Sequence, residues 1–219
     1  MNIKFRLAAP SDAARLLKIY GHYVENTTVS FEYETPSEEE FKERIAEYSA
    51  EFPYIVCEIN GNIEGYAYAH KYKTRYAYRY AAELSVYLTE NCTGKGIGKR
   101  LYCALFEILS EMGYKNLYGT VTGENEISIA FHKALGFNEA GREHRVGYKF
   151  GKWIDVIIFE KFIGDKVETE NKDEWFSRPK TVLSHWWHPA RHSLACPSRI
   201  RWLLPLWAMP PCRLRQSPQ

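Results

Sequence analysis

Among five cysteines (Cys57, Cys92, Cys103, Cys196 and Cys212) the chain has no CxxC pair. An odd count with no secretory signal argues against a disulfide framework. No His, Cys or Asp cluster has metal-ligand spacing, so no metal is expected. Long hydrophobic runs are missing too. The most apolar late stretch, "WLLPLWAMPP", is about half the length that spans a bilayer and is broken by prolines. The N-terminal "MNIKFRLAAP" alternates like a strand and does not lead into an apolar targeting segment. These absences point to a cytoplasmic protein without a membrane partner.

Acidic residues are absent after Glu174, where seven cations follow. Set against a formal net charge of +2 overall, those seven leave residues 1–174 at −5. A net negative charge argues against nucleic acid as the partner of that part. Residues 175–219 also hold five of the six tryptophans and many prolines, with no sustained helical or strand period. Such an abrupt change suggests a tail that did not evolve with the rest, joined through a polar linker over 164–174. The functional alternative is a basic-aromatic arm for nucleic acid or membrane, against which the scatter of its cations speaks.

Residues 1–163 read as one mixed α/β domain in the order βααβββαβαββ. "IKFRLA" alternates like a strand, and Pro10-Ser11-Asp12 opens a helix carrying Leu16, Leu17, Ile19, Tyr20 and Val24. Ser37 and Glu40 form a capping-box signature for the next helix. "YIVCEI" and "IEGYAYAHKY" flank an Asn-Gly turn and predict a hairpin. "AELSVYL" is a nearly unbroken apolar strand, expected at the centre of the sheet. "GKRLYCALFEILSEMG" predicts a helix stopping at Gly113, followed by the strand "NLYGTV" and a short helix "NEISIAFHKAL" capped by Gly136. "RVGYKF" and "WIDVIIFEKF" predict the last two strands.

Between the central strand and its helix lies "NCTGKGIGKR", with glycines at alternate positions. Three phosphate-binding templates compete for it. A nucleotide P-loop needs GxxxxGK[ST], but Gly94 to Gly98 is one residue short and Arg100 replaces the Mg²⁺-binding hydroxyl. A dinucleotide fingerprint needs GxGxxG in the first βα unit, whereas Lys99 occupies its last glycine and several elements precede the loop. The third template, [RQ]xxGx[GA] between a late strand and a helix, fits except at Thr93. There the helix N-terminus offers unpaired N–H groups and a positive dipole end to a pyrophosphate.

With that loop in that position, the sequence resembles the GNAT acetyltransferase superfamily. "IYGHYV", "TVSFE", "YKTRYAY", "AELSVYL", "GENEISIAFHKALGF" and "GREHRVGYKFGKWIDV" narrow the resemblance to the phosphinothricin N-acetyltransferase family, over residues 3–163. The resemblance implies the GNAT fold, acetyl-CoA as co-substrate and a homodimer. It places Gly94, Lys95, Gly96, Ile97, Gly98 and Lys99 on the pyrophosphate, with Arg100 adding cationic reach. Val86, Tyr87 and Leu88 would lie along the pantetheine arm, the backbone amides of Val86 and Leu88 pairing with it, and Asn125 and Ser128 would also meet CoA. Thr93 departs from the pattern, which removes any Arg or Gln contribution there.

Acetyl transfer to an amine needs the neutral amine, so a base must take its proton. Period two puts Glu83, Ser85 and Tyr87 on one face of an otherwise apolar strand, where a carboxylate is partly removed from water. Resemblance to the family's ExxVY glutamate assigns Glu83 as the general base; the plainer reading is a solvated strand-end residue. Asn125, Ser128 and His132 share one helix face, opposite Ile129 and Leu135. His132 stands where many GNAT enzymes have a tyrosine that protonates the departing thiolate, and the resemblance to the phosphinothricin branch ties it to the active site; the plainer reading is a surface or packing histidine. Lys73 and Arg75, one residue apart in an extended segment, suit a substrate carboxylate or phosphinate. Phe31 and Tyr87 would wall the substrate site. Cys92 reads as incidental, because direct attack by the amine needs no cysteine. The implied substrate is a small amino acid or analogue such as phosphinothricin, methionine sulfone or methionine sulfoximine. Peptide N-acetylation and a non-catalytic CoA-binding module are the alternatives.

Overall fold

A computed structural model describes residues 2–164. Gly164 aside, the expected linker and tail over 164–219 lie outside those residues. Four helices and seven strands occur among the described residues: β1 (Ile3–Leu7), α1 (Ala13–Asn26), α2 (Glu38–Glu51), β2 (Tyr54–Ile59), β3 (Asn62–Lys71), β4 (Ala81–Leu88), α3 (Ile97–Glu111), β5 (Asn116–Thr122), α4 (Glu126–Ala134), β6 (Asn138–Lys149) and β7 (Lys152–Phe162). The strands form one mixed sheet in the order β1-β2-β3-β4-β5-β7-β6. Every neighbouring pair is antiparallel except β4 with β5.

Local signals act as the sequence suggests. Asn60 and Gly61, both at positive φ, close the β2–β3 hairpin, as an Asn-Gly turn requires. The Ser37 hydroxyl accepts the Glu40 amide while the Glu40 carboxylate accepts the Ser37 amide, completing the capping box of α2. Asp12 ends a short 3-10 turn before α1; its carboxylate accepts from the Ala9 amide and takes two hydrogen bonds from the Arg6 guanidinium, at 2.7 and 2.9 Å. Burial alone would push that carboxyl up, but the bonds from Arg6 and Ala9 hold it below the usual range.

The sheet is covered on both faces. On one, Leu101, Leu105 and Leu109 of α3 pack on Ala67, Ala69, Ala82, Leu84, Leu117 and Phe159. On the other, Leu16, Ile19 and Val24 of α1 and Phe41 and Ile45 of α2 cover Tyr54, Val56 and Tyr66. Each fully buried aliphatic side chain contributes about 1.5–3 kcal/mol, so the helices are held by these stripes more than by their own propensity.

β6 is longer than its sequence predicts. It starts at Asn138, and its first part, which carries Glu139, Arg142, Glu143 and Arg145, is largely exposed at the edge of the sheet, where charged side chains blunt an unpaired strand. Phe150, expected within the strand, is instead in the turn to β7 with Gly151. Near the end of β6, Lys149 is 2% exposed. Its ammonium donates to the carbonyls of Val24, Thr27 and Ser30, at 2.6, 3.0 and 2.7 Å. Val24 lies in the last turn of α1, where unpaired carbonyls and the negative dipole end favour a cation. Desolvation lowers the Lys149 pKa, and nearby Glu32 partly offsets this. One side chain thus ties the end of α1 and the segment before Phe31 to β6. Lys149→Met, which keeps the stem and removes the ammonium, should destabilise the domain by roughly 2–4 kcal/mol. Chemical denaturation should show this as a lower midpoint at unchanged slope.

Candidate active site

The parallel pairing of β4 with β5 is brief: Ala81 opposite Asn116, Ala82 opposite Leu117, and Glu83 opposite Tyr118. Beyond Glu83 the strands part, because β5 continues along β7 as far as Thr122 while β4 stays with β3 as far as Leu88. The Thr89 amide bonds to Glu64 on β3, so by alternation Leu84, Val86 and Leu88 turn their backbone groups toward the fork. Tyr102 donates to the Leu84 carbonyl, and the Tyr23 hydroxyl donates to the Leu88 carbonyl at 2.6 Å while accepting from the Leu88 amide at 3.3 Å. Val86 lies between them. The expected pairing of Leu88 with a ligand backbone therefore requires exchange with Tyr23, a partner that no sequence period reveals.

Glu83 is half-buried at the base of the fork, and its Oε1 accepts a hydrogen bond from the Thr120 hydroxyl across the gap. Around it on the same face stand His70, Tyr68 and Ser85 of β3 and β4, with Tyr118 of β5. Tyr87, on that face too, packs edge-on against Tyr20 and Tyr23 and tilted against Tyr66. Burial, reinforced by the neighbouring tyrosines, raises the Tyr87 pKa well above the usual phenol range. Desolvation raises Tyr68 likewise, against a hydrogen bond from Ser85. These phenols are neutral walls with hydroxyl handles.

Past β4, the loop turns through Gly94 (φ 74°) and Gly96 (φ 75°), and Gly96 caps the N-terminus of α3. Two left-handed residues separated by one, ahead of a helix N-terminus, shape a backbone concavity for an anion. A Cβ on Gly94 would meet nothing within 4 Å, so the glycine is needed for its dihedral and not for space. Ile97 and Gly98 are buried, the latter against Phe131 and Leu88, while Lys95 and Lys99 are exposed beside the loop. Arg100 does not join them. Its guanidinium packs over the Phe5 ring at 4.9 Å, and desolvation lowers its pKa. The cationic reach expected of Arg100 is thus directed to β1, away from the loop.

Two other expectations change. Asn125, Ser128 and His132 do share a face: Asn125 caps α4 by accepting from the Ser128 amide, and His132 Nδ1 lies 2.8 Å from the Ser128 carbonyl. That face is not opposite the core, however. His132 is 3% exposed, stacked on Phe159 and set among Tyr102, Phe131 and Phe137. A carbonyl only accepts, so Nδ1 carries the proton and Nε2 is a bare acceptor facing Gly119, buried with no hydrogen-bond partner. In this tautomer His132 has no proton at Nε2 to give a departing thiolate. Burial lowers its pKa against the opposing Ser128 bond, which keeps the ring neutral. Second, the segment with Lys73 and Arg75 is not extended: it bends after Lys71 and enters a 3-10 turn at Tyr76. Lys73 sits over the rings of Tyr72 and Tyr78, at 4.8 and 5.1 Å. Phe31 is half-covered, its ring against Gly147, where any Cβ would come within 2.3 Å of it.

Cys57 and Cys92 are buried, and desolvation pushes the Cys57 thiol up to about 12. Among the described residues no group of three or more His, Cys, Asp or Glu side chains could hold a metal ion, and no helix is long and apolar enough to cross a membrane.

The site thus combines a forked mixed sheet, a carboxylate at the fork and two left-handed glycines ahead of the following helix. Residues 5–158 match the acetyltransferase (GNAT) domain family. The chain belongs to that family. It is 36% identical to phosphinothricin N-acetyltransferase of Alcaligenes faecalis over 158 residues, covering 71% of this chain and 80% of that one. Identity to the L-methionine sulfoximine/L-methionine sulfone acetyltransferase of Salmonella typhimurium is 31%, covering 71% of this chain and 91% of the relative. The crystal structure of a phosphinothricin acetyltransferase from Sinorhizobium meliloti in complex with acetyl-CoA superposes with a TM-score of 0.76 at 32% identity, covering 84% of this chain and 99% of that one.

Because His132 is neutral when folded, its protonation favours unfolding. Stability should fall as pH drops below about 6.5, where an exposed imidazole begins to bind a proton that the buried one refuses, and the loss should continue down to the lowered folded pKa. Replacing the ring by His132→Gln should flatten the acid limb of a melting-temperature series between pH 7 and 5.

Proposed function

We propose that this chain N-acetylates the α-amine of a small amino acid or analogue, of the phosphinothricin, methionine sulfone or methionine sulfoximine type, using acetyl-CoA. The observation that carries the reading is the half-buried carboxylate of Glu83 at the point where β4 and β5 separate, with the glycine nest at the far end of β4. The site fits the co-substrate. Gly94, Gly96 and the first amides of α3 suit its pyrophosphate, aided by Lys95 and Lys99. Val86, and Leu88 after release by Tyr23, supply strand-like backbone pairing for the pantetheine amides. Asn125 spends only its Oδ1 on capping, so its amide group is available to donate.

Acetyl-CoA supplies an acetyl group activated as a thioester, so a new C–N bond replaces the C–S bond. Of the two protons that the substrate ammonium gives up, Glu83 takes one before attack and passes it to solvent; the other ends on the sulfur. In this reading a strand N–H of the Leu88 region, or that of Val86, which also turns into the fork, donates to the developing oxyanion. His132 keeps a part in this reading as a neutral acceptor beneath Gly119, not as a proton donor. Lys73 and Arg75 hold the substrate carboxylate or phosphinate, with Phe31 and Tyr87 against its apolar part. The names of the relatives support this substrate class. A cytoplasmic homodimer belongs to the same reading. Tyr33, Tyr148, Phe150 and Trp153, exposed around the β6–β7 turn, provide a surface for the second copy.

Release of free CoA should be seen with phosphinothricin or a methionine sulfone or sulfoximine in a panel of amino acids, and not with peptide amines; activity confined to peptides would overturn the reading. Glu83→Gln should lower kcat by about 10²–10⁴ with little change in KM, and near-normal turnover across pH would remove Glu83 from the mechanism.

A further inference from the structure

Glu83 is the last residue of β4 that pairs with β5, and Thr120 lies on the same face two residues beyond its partner Tyr118. Backbone pairing between the strands has ended at Thr120. The two strands nonetheless remain joined there, by the hydroxyl of Thr120 donating to Oε1 of Glu83. This bond crosses the mouth of the fork that the proposed reaction would use. A glutamate at such a place has three side-chain torsions to settle, and a hydrogen bond to one oxygen of its carboxylate restricts them. A β-branched donor is suited to the task. Thr120 lies within a stretch of β5 held in register by β7, opposite Ile158, and branching leaves its own χ1 few choices.

We infer that Thr120 is a positioning residue for the general base. It fixes Oε1 on the β5 side of the fork and leaves Oε2 toward the amine. The assignment rests on Glu83 being the base, as proposed above, and concerns how that base is aimed. It differs from a merely structural role. Strand pairing along β7 already holds Thr120 in place, so losing the hydroxyl leaves the sheet intact and frees only the carboxylate. The hydroxyl also retains lone pairs on the fork side, so it does not place an apolar group against an arriving ammonium.

The test compares Thr120→Val, which keeps shape and branching without the donor, with Thr120→Ser, which keeps the donor, each alone and in the Glu83→Gln background. In the full-length protein Thr120→Val should lower kcat by about ten- to a hundredfold, the range set by a lost hydrogen bond to a charged group. KM for acetyl-CoA and for the amine should stay within about twofold, and the melting temperature should be unchanged. Thr120→Ser should keep most of the wild-type kcat. In the Glu83→Gln background Thr120→Val should cost nothing more, because its effect runs through the carboxylate. Wild-type kcat in Thr120→Val, an equal loss in Val and Ser, or an undiminished loss in the Glu83→Gln background would each overturn the assignment while leaving the acetyltransferase reading intact. A wild-type protein inactive on every amine would instead overturn that reading, and a fully active Glu83→Gln would remove Glu83 as the base; either takes this assignment with it.

Discussion

The three-residue parallel contact between β4 and β5 is the constraint on which the site depends. β5 is committed to β7 along its whole length and β4 to β3, so the strands can share only their first residues. Had the pairing continued, the backbone groups of Val86 and Leu88 would have been spent on β5 and the sheet would have no slot. Because it stops at Glu83, a carboxylate sits at the base of the opening, and polar backbone is presented along one arm. The left-handed glycines Gly94 and Gly96 stand at the far end.

The two faces of the fork differ in chemistry. On the α1–α2 side stands a bank of tyrosines, their rings packed on one another and their phenols kept neutral by burial. On the α3–α4 side the environment is apolar, apart from His132 with its unpartnered nitrogen beneath Gly119. Lys149 matters to the first face although it is remote from the chemistry. By ending α1 on β6 it sets the height of the chain that brings Phe31 over Gly147.

Much of this architecture is legible locally. The Ser37–Glu40 box, the Asn60-Gly61 turn and the glycines ending α3 and α4 act through neighbours in sequence, so the sequence displays them. The strand order is not displayed, yet the glycine loop and its place after "AELSVYL" suffice to suggest the class. What misled was periodicity taken without partners. The face of α4 carrying His132 looked polar in isolation and lies against Phe159, because the ring is apolar enough to stack when one nitrogen is satisfied by its own helix. Lys73 and Arg75 looked extended, but the chain bends where tyrosine rings collect the ammonium.

By itself the sequence determined the element order, the caps and turns, and the glycine loop that opens α3. These follow from dihedral preference and from periods of two and 3.6, all short-range properties. Tertiary structure alone decided which groups face one another across the fork. Thr120 reaches Glu83 over a separation of 37 residues, Tyr23 brackets Leu88 over 65, and Lys149 meets Val24 over 125. Hydrogen bonds of that span depend on the register of strands and the docking of helices, which no local pattern encodes. The bond from Thr120 to Glu83 and the tautomer of His132 are accordingly properties of the assembled sheet.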